Sequence, residues 1–318
     1  MFGLPAAVSS VGNQSIPEKI PFAIEPAEDV ELATFVPMFL LQACLPQGDQ
    51  APVDLVRPAG GFVAKGNPRE QLPIGLVRKR VDDEGSFDRK ALEDMLEWYR
   101  PQWVGVSTRS TDFEYGILAA QAVKECMDVP VAFGGSHPTV DPEGALSRDG
   151  VDMVCIGEGE GALVELCERM ALSRDYSDVP NLWVKDASGK VRRNPQRLVL
   201  DINALPIMDF EIFEENRIYR PMAGKVYRMI PIETHRGCPY TCTYCNSPSQ
   251  VVLHNENKVG RFFRKKRMDK VREELDYLIK RWNAEYVYFP ADTFLAWSDE
   301  EFRSFIEMYS EFKLPFWM

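Results

Sequence analysis

The stretch MIPIETHRGCPYTCTYC, residues 229–245, decides how this chain is read. Its first half, MIPIETH (229–235), has the apolar character of a short buried strand. That strand feeds straight into a loop holding Cys238, Cys242 and Cys245 inside eight positions, at spacings C-x3-C-x2-C. Three thiolates so placed can fold round a single metal centre. A structural zinc site wants four ligands in a closed tetrahedron, and the fourth would have to come from His235, His254 or a distant residue. Iron–sulfur clusters are also held by cysteine thiolates. A cubane held by only three leaves one iron with an open position, and an open position suggests chemistry.

Downstream, residues 268–282 place Met268, Val271, Leu275, Leu278 and Trp282 on one helical stripe. AEYVYFPAD (284–292) reads as the next strand, SDEEFRSFIEMYSEF (298–312) as a helix, and LPFWM (314–318) as the opening of a third strand. This βαβαβ run would leave an unpaired edge and half-covered apolar faces. The expectation is that the sequence is a fragment, or that a partner completes the second domain.

Upstream, WVGVS (103–107), VPVAFGG (129–135) and VDMVCIG (151–157) are continuous apolar strands. They alternate with helices over FEYGILAAQAVKEC (113–126), PEGALSRDG (142–150) and EGEGALVELCERMAL (158–172). Such alternation marks a parallel sheet covered on both faces, a doubly wound α/β domain. PVDLVRP (52–58) reads as a further short strand, LWVKDASGKVRRN (182–194) as a hairpin, and residues 58–95 as a long loop with an untidy helix. The expected organisation is an extension over 1–50, an α/β domain over 51–180, a hairpin and linker over 181–228, and a second α/β region over 229–318.

The 318 residues suit two domains, and 45% hydrophobic with 27% charged residues is ordinary for a globular core. A net charge of −11 argues against non-specific attraction to nucleic acid or an anionic membrane. The longest apolar stretch, PMFLLQACL (37–45), is too short to span a bilayer, and the N-terminus has no basic residue before Lys19, against a secretory signal. A cytoplasmic location is expected. Four of the seven cysteines (44, 126, 155, 167) lie singly in apolar surroundings and read as buried hydrophobes. The segment 258–273 carries eight basic residues interleaved with Phe262 and Phe263; the reading favoured is a solvated basic face rather than an RNA contact. GEGEG (157–161) is not a phosphate-binding loop of the G-x-x-x-x-G-K-[ST] type.

ETHRGCPYTCTYCNSP closely resembles the radical S-adenosylmethionine (SAM) enzymes, whose motif is C-x3-C-x-aromatic-C at the end of the first strand of a partial (β/α)6 barrel. The resemblance implies that Cys238, Cys242 and Cys245 bind three irons of a 4Fe–4S cluster and that SAM chelates the fourth. It places Tyr244 near the adenine, and Asp292, after Pro290 and Ala291, as a contact to the SAM amino group; the plainer reading of Asp292 is an N-cap or turn residue. RFFRKKRMDKVREELDYL and YVYFPADTF look like the family's first helix and second strand. His235 reads as a support for the cysteine loop rather than a base, and no catalytic residue is assigned.

The upstream segment resembles the cobalamin-binding domain fused ahead of many radical SAM enzymes. Its strand-end loops imply a cofactor rim of Ser107, Thr108 and Thr111; Gly134, Gly135, Ser136 and His137; and Gly157, Glu158, Gly159 and Glu160. Glycines there let the backbone approach a large flat ligand. No Asp-x-His-x-x-Gly stretch is present to supply a lower axial histidine, and His137 reads as a polar loop residue rather than a cobalt ligand. The fold class expected is therefore α/β: a doubly wound Rossmann-like cobalamin-binding domain, then the first part of a radical SAM barrel.

This resemblance implies an enzyme that cleaves SAM to a 5′-deoxyadenosyl radical, most readily a methyltransferase acting on an unactivated carbon of a small molecule or peptide. An electron donor such as flavodoxin or ferredoxin would serve it. Alternatives are a cyclase or rearrangement enzyme on the same scaffold, or a non-catalytic protein with zinc or a structural cluster at the cysteines.

Overall fold

Successive residues of a strand face opposite ways. The structure, a computed structural model describing residues 38–42, 74–78, 89–210 and 218–318, shows a separate core on each side of the first sheet. Strands β1 (Met38–Gln42) and β2 (Ile74–Arg78) pair antiparallel, and α1 (Arg89–Tyr99) follows. Then come β3 (Val104–Ser107), α2 (Phe113–Cys126), β4 (Val131–Gly134), the short α3 (Ser136–Val140) and α4 (Pro142–Leu146), β5 (Met153–Cys155) and α5 (Glu160–Ala171). The hairpin β6 (Leu182–Lys185) and β7 (Val191–Arg193) extends the same sheet, whose order is β3-β4-β5-β6-β7. β3, β4 and β5 are parallel, and β6 and β7 are antiparallel to their neighbours.

Val104, Val106, Val131, Phe133 and Val154 face Leu92 and Leu96 of α1 and Ile117, Ala120 and Val123 of α2. The intervening Trp103, Ala132, Met153 and Cys155 face Ala162 and Leu166 of α5 and Leu182 and Val184 of β6. Helices thus cover both faces, which is why these strands read as unbroken apolar runs.

A second sheet holds β8 (Tyr219–Met222), β9 (Lys225–Pro231), β12 (Tyr286–Tyr288) and β13 (Phe316–Trp317), in the order β13-β12-β9-β8. β9, β12 and β13 run parallel, and β8 closes an antiparallel hairpin with β9. Between β9 and β12 the chain makes β10 (His235–Arg236), α6 (Ser247–Glu256), β11 (Arg264–Lys265) and α7 (Met268–Trp282); α8 (Asp299–Ser310) follows β12. Val271, Leu275 and Leu278 of α7 and Phe305, Met308 and Tyr309 of α8 pack on Ile230, Ile232, Val287 and Phe289. α8 starts with a capping box between Ser298 and Glu301, and Glu301 also accepts from Lys265 of β11 at 2.6 Å.

Several expectations are corrected. Ser136 and His137, expected in a strand-end loop, open the short helix α3, and the hairpin over 182–194 belongs to the first sheet. β9 begins at Lys225 and ends at Pro231, ahead of the expected strand, because its outer half is exposed and carries no apolar run. Cys155 is buried, but Cys126 is exposed at the end of α2. The strand expected over 52–58, and Cys44, lie outside the described residues. No helix among the described residues is long and apolar enough to cross a membrane.

The basic segment is not simply a solvated face. Lys266 is buried, donating to both carboxylate oxygens of Glu274 at 2.8 Å, with side chains 7% and 5% exposed. Burial pushes the Glu274 carboxyl above its ordinary range, opposed by the Lys266 ammonium. The Lys266 N–H also donates to Thr234 O at 2.9 Å, so the pair pins α7 to the segment entering the cysteine loop. Breaking a buried pair strands a charge. Glu274→Leu alone is expected to lower unfolding free energy by about 3–5 kcal/mol, and Lys266→Met with Glu274→Leu by much less. Urea unfolding checks this; a double variant as unstable as the single would show that the ion pair is not what holds α7 there.

Candidate functional site

The cysteine loop leaves the carboxyl end of β9 through the two-residue ribbon β10–β11, in which His235 faces Lys265 and Arg236 faces Arg264. Gly237 then turns the chain with φ +81°, and a Cβ there would stand 2.5 Å from Phe262 O. Only glycine lets the loop lie so close to that backbone. Of the three thiols Cys238 is buried, while Cys242 and Cys245 are exposed and linked by a hydrogen bond from Cys245 N–H to Cys242 O at 3.2 Å.

Cys245 is polarised by its surroundings. The Ser247 hydroxyl lies 3.4 Å from its sulfur and the Ser247 N–H donates to it at 3.4 Å. These contacts hold the thiol below its ordinary range, and the nearby charge of Asp292 opposes them. Asp292 follows β12, so parallel pairing of β9 and β12 brings the two expected site residues to one edge. Tyr244 is 91% exposed, and the Cys242 thiol beside it raises its phenol.

Neither candidate histidine completes a tetrahedron. His235 is 1% exposed, with Nδ1 2.8 Å from Thr234 Oγ1 and its ring stacked on Phe263 and edge-on to Trp297. Burial, with the Lys265 charge, pushes it down to about 4, so it is a neutral pillar under the ribbon. His254 is buried against Phe262, with Nδ1 3.3 Å from Gly260 O. Among the described residues no three His, Cys, Asp or Glu side chains gather where one ion would sit. Thiolate character at Cys245 is what ligation of a metal centre would require.

At the first sheet, the loops after β3, β4 and β5 open at one edge. Ser107, Thr111 and Gly135 are exposed there, and Gly134, Ser136, His137 and the 157–160 loop are half-buried. Thr108 is 1% exposed and its Oγ1 has no partner, a buried hydroxyl awaiting a polar group. Gly135 has φ +97°, and a Cβ would meet Thr108 O at 2.6 Å, so the fold itself demands this glycine. A Cβ on Gly134 meets nothing nearer than 3.8 Å. The His137 ring lies on Phe113, with Nδ1 3.1 Å from Ser110 Oγ.

Residues 79–167 match the B12-binding domain family. The chain is also similar to an uncharacterized methyltransferase of Pyrococcus horikoshii, 27% identical over 232 residues, 71% of this chain and 46% of that protein. It is 29% identical over 157 residues to the cobalamin-dependent radical SAM methyltransferase TokK of Streptomyces tokunonensis, covering 46% of this chain and 22% of that one. These matches set the chain beside B12-binding and radical SAM proteins. Its fold is shared with the apo cobalamin-dependent SAM radical enzyme OxsB: TM-score 0.55 at 18% identity, over 72% of this chain and 31% of that one. The chain spans less than half the length of these relatives.

Sequence reading missed the charges that join the first sheet's β5–α5 segment to the cysteine loop. Arg236 and Arg264 take up the carboxylates of Glu158 and Glu160, which were expected to touch a cofactor. The signal available was two arginines flanking the cysteine loop; these partners lie 76 to 106 residues away and have no local signature.

Thiol chemistry checks the loop. Because a lowered pKa exposes thiolate at lower pH, Cys245 is expected to reach half-maximal alkylation below the ~8.5 of an ordinary thiol. Ser247→Ala removes one donor and should move that midpoint upward. Cys155, pushed up to about 12 by burial, should stay unmodified in the native chain. Peptide mapping after iodoacetamide at graded pH gives the result; a Cys245 midpoint unmoved by Ser247→Ala would remove the assigned cause.

Proposed function

We propose that this chain is the cofactor-binding part of a cobalamin-dependent radical SAM methyltransferase. The observation that carries the reading is the shared edge at the second sheet: the cysteine loop after β9 and Asp292 after β12 lie side by side, in a chain whose upstream sheet matches a B12-binding domain. Relatives named as methyltransferases support the reaction class.

In this reading Cys238, Cys242 and Cys245 hold a 4Fe–4S cluster. Buried Cys238 anchors its protein side, and exposed Cys242 and Cys245 face the edge where a cosubstrate enters. Tyr244 and Asp292 border that edge, offering an aromatic surface for adenine and a carboxylate for the SAM amino group. The loops around Ser107, Thr108, Thr111, Gly134, Gly135, Ser136, His137 and Gly157 receive cobalamin, with Thr108 Oγ1 supplying a hydrogen bond it does not otherwise make. When bound, the cluster supplies one electron to the carbon–sulfur bond of SAM and cobalamin supplies a methyl carrier. The chain's own work is to position them and keep water out. His235, neutral and enclosed by aromatic rings, holds the ribbon without adding charge beside the thiolates.

Anaerobic reconstitution with iron and sulfide should load about four irons per chain, and dithionite with SAM should release 5′-deoxyadenosine. Alanine at any one of the three cysteines should abolish that release. A single tetrahedral zinc in oxygen-free material would overturn the reading.

Cobalamin is tested separately. Gly134→Ala should keep the fold and weaken aquocobalamin uptake, because its methyl group would meet only Cys155 Cβ, at 3.8 Å, and adds bulk at the end of β4. Gly135→Ala should lower thermal stability through the Thr108 backbone whether or not cofactor is present. Unchanged uptake by Gly134→Ala would remove Gly134 from the pocket.

A further inference from the structure

The β10–β11 ribbon holds an arrangement that is unfavourable by itself. Arg236 and Arg264 are direct cross-strand partners, and like charges directly opposite destabilise a strand pair. Both guanidinium side chains are largely withdrawn from water, 22% and 14% exposed. Of the three compensating carboxylates, Glu158 and Glu160 come from the other sheet and Glu233 lies three residues before Arg236. Glu158, in the loop between β5 and α5, accepts from Arg264 Nη1 at 3.2 Å and engages Arg264 Nη2 with its other oxygen. It also stands 3.4 Å from Arg236 Nη1, and its own side chain is 18% exposed. Arg236 donates further to Glu160 at 2.6 Å and to Glu233 at 3.0 and 3.1 Å, and Arg264 to Leu200 O at 2.9 Å.

We propose that Glu158 is a positioning residue that locks the ribbon carrying the cysteine loop onto the B12-binding domain. Its carboxylate removes the repulsion between the two arginines and ties both to the loop after β5. Arg236 is two residues before Cys238, and the intervening Gly237 is pressed against Phe262 O, so little slack separates the lock from the first thiol. The 157–160 loop lies at the edge where cobalamin is proposed to bind. Glu158 therefore sets the place of the cysteine loop relative to that edge, instead of touching the cofactor with its carboxylate. The consequence for a cluster rests on the proposed function; the lock itself is a property of the cofactor-free chain.

Amide hydrogen exchange of the full cofactor-free chain, read by mass spectrometry, tests it. Glu158→Gln keeps shape and removes charge. It should raise exchange of peptides covering 233–240 by about tenfold while peptides of β3–β5 and α7 keep wild-type protection. Glu158→Asp, charged but shorter, should give a smaller rise in the same peptides. The exchanged pair Glu158→Arg with Arg264→Glu should bring protection back to within about threefold of wild type. In reconstituted protein, Glu158→Gln should bind as much iron as wild type yet change the EPR signal of the reduced cluster. Unchanged exchange at 233–240 in Glu158→Gln overturns the proposal. So does a rise spread over every peptide, because that reports loss of fold rather than release of the ribbon. A wild-type chain that takes up no cluster would defeat the proposed function and leave the exchange result standing.

Discussion

Parallel strands cannot be joined by a tight turn, and that constraint arranges the second sheet. The chain leaving β9 must cross a face of the sheet before β12 can begin. In this protein the crossover holds the cysteine loop, α6, the β10–β11 ribbon and α7. Since β9 and β12 point the same way, the segments leaving their carboxyl ends emerge at the same edge. Cys245 and Asp292 therefore follow neighbouring parallel strands, and the Asp292 charge reaches the Cys245 thiol. Parallel α/β sheets gather their polar groups at carboxyl ends for this reason.

The first sheet obeys the same rule but shows that one motif can answer two needs. The paired glycines at the end of β4 look like a single device for approaching a ligand. Gly135 is required by the protein, since its positive φ and the nearness of Thr108 O exclude a side chain without any cofactor. Gly134 has room, so its lack of a side chain needs another explanation, and access to the strand-end edge is the one available. The Thr108 hydroxyl beside them is buried and without a hydrogen-bond partner.

Strands with continuous apolar runs were legible in the sequence: 103–107, 129–135 and 151–157 contain β3, β4 and β5, and α7 buries most of its expected stripe. The cysteine spacing was legible because ligand chemistry fixes it locally. Elements without an apolar period escaped. β8 and the first half of β9 bury no residue fully, α6 buries only Ser247 and His254, and the ribbon strands are two residues each. The basic run was misjudged for a related reason. Sequence shows the charges of Arg264, Lys265 and Lys266 but not Glu158, Glu301 and Glu274, which reach them from three separate elements.

These misjudged charges explain how the site is held. α8 and β13 are fixed by interlocking aromatic rings, Phe289, Phe294, Phe305 and Tyr309 with Phe316, whose attraction is strong but only loosely directional. The segment around the cysteines is fixed instead by hydrogen-bonded ion pairs, which fix direction as well as distance. Burying Lys266 with Glu274 and setting Arg236 opposite Arg264 each break a local rule that stable sheets and helices otherwise keep. Such departures are expected where geometry matters more than stability. Their presence on both sides of the cysteine loop makes sense if the loop must be held at a set distance and angle from the neighbouring sheet, a task apolar packing alone performs poorly.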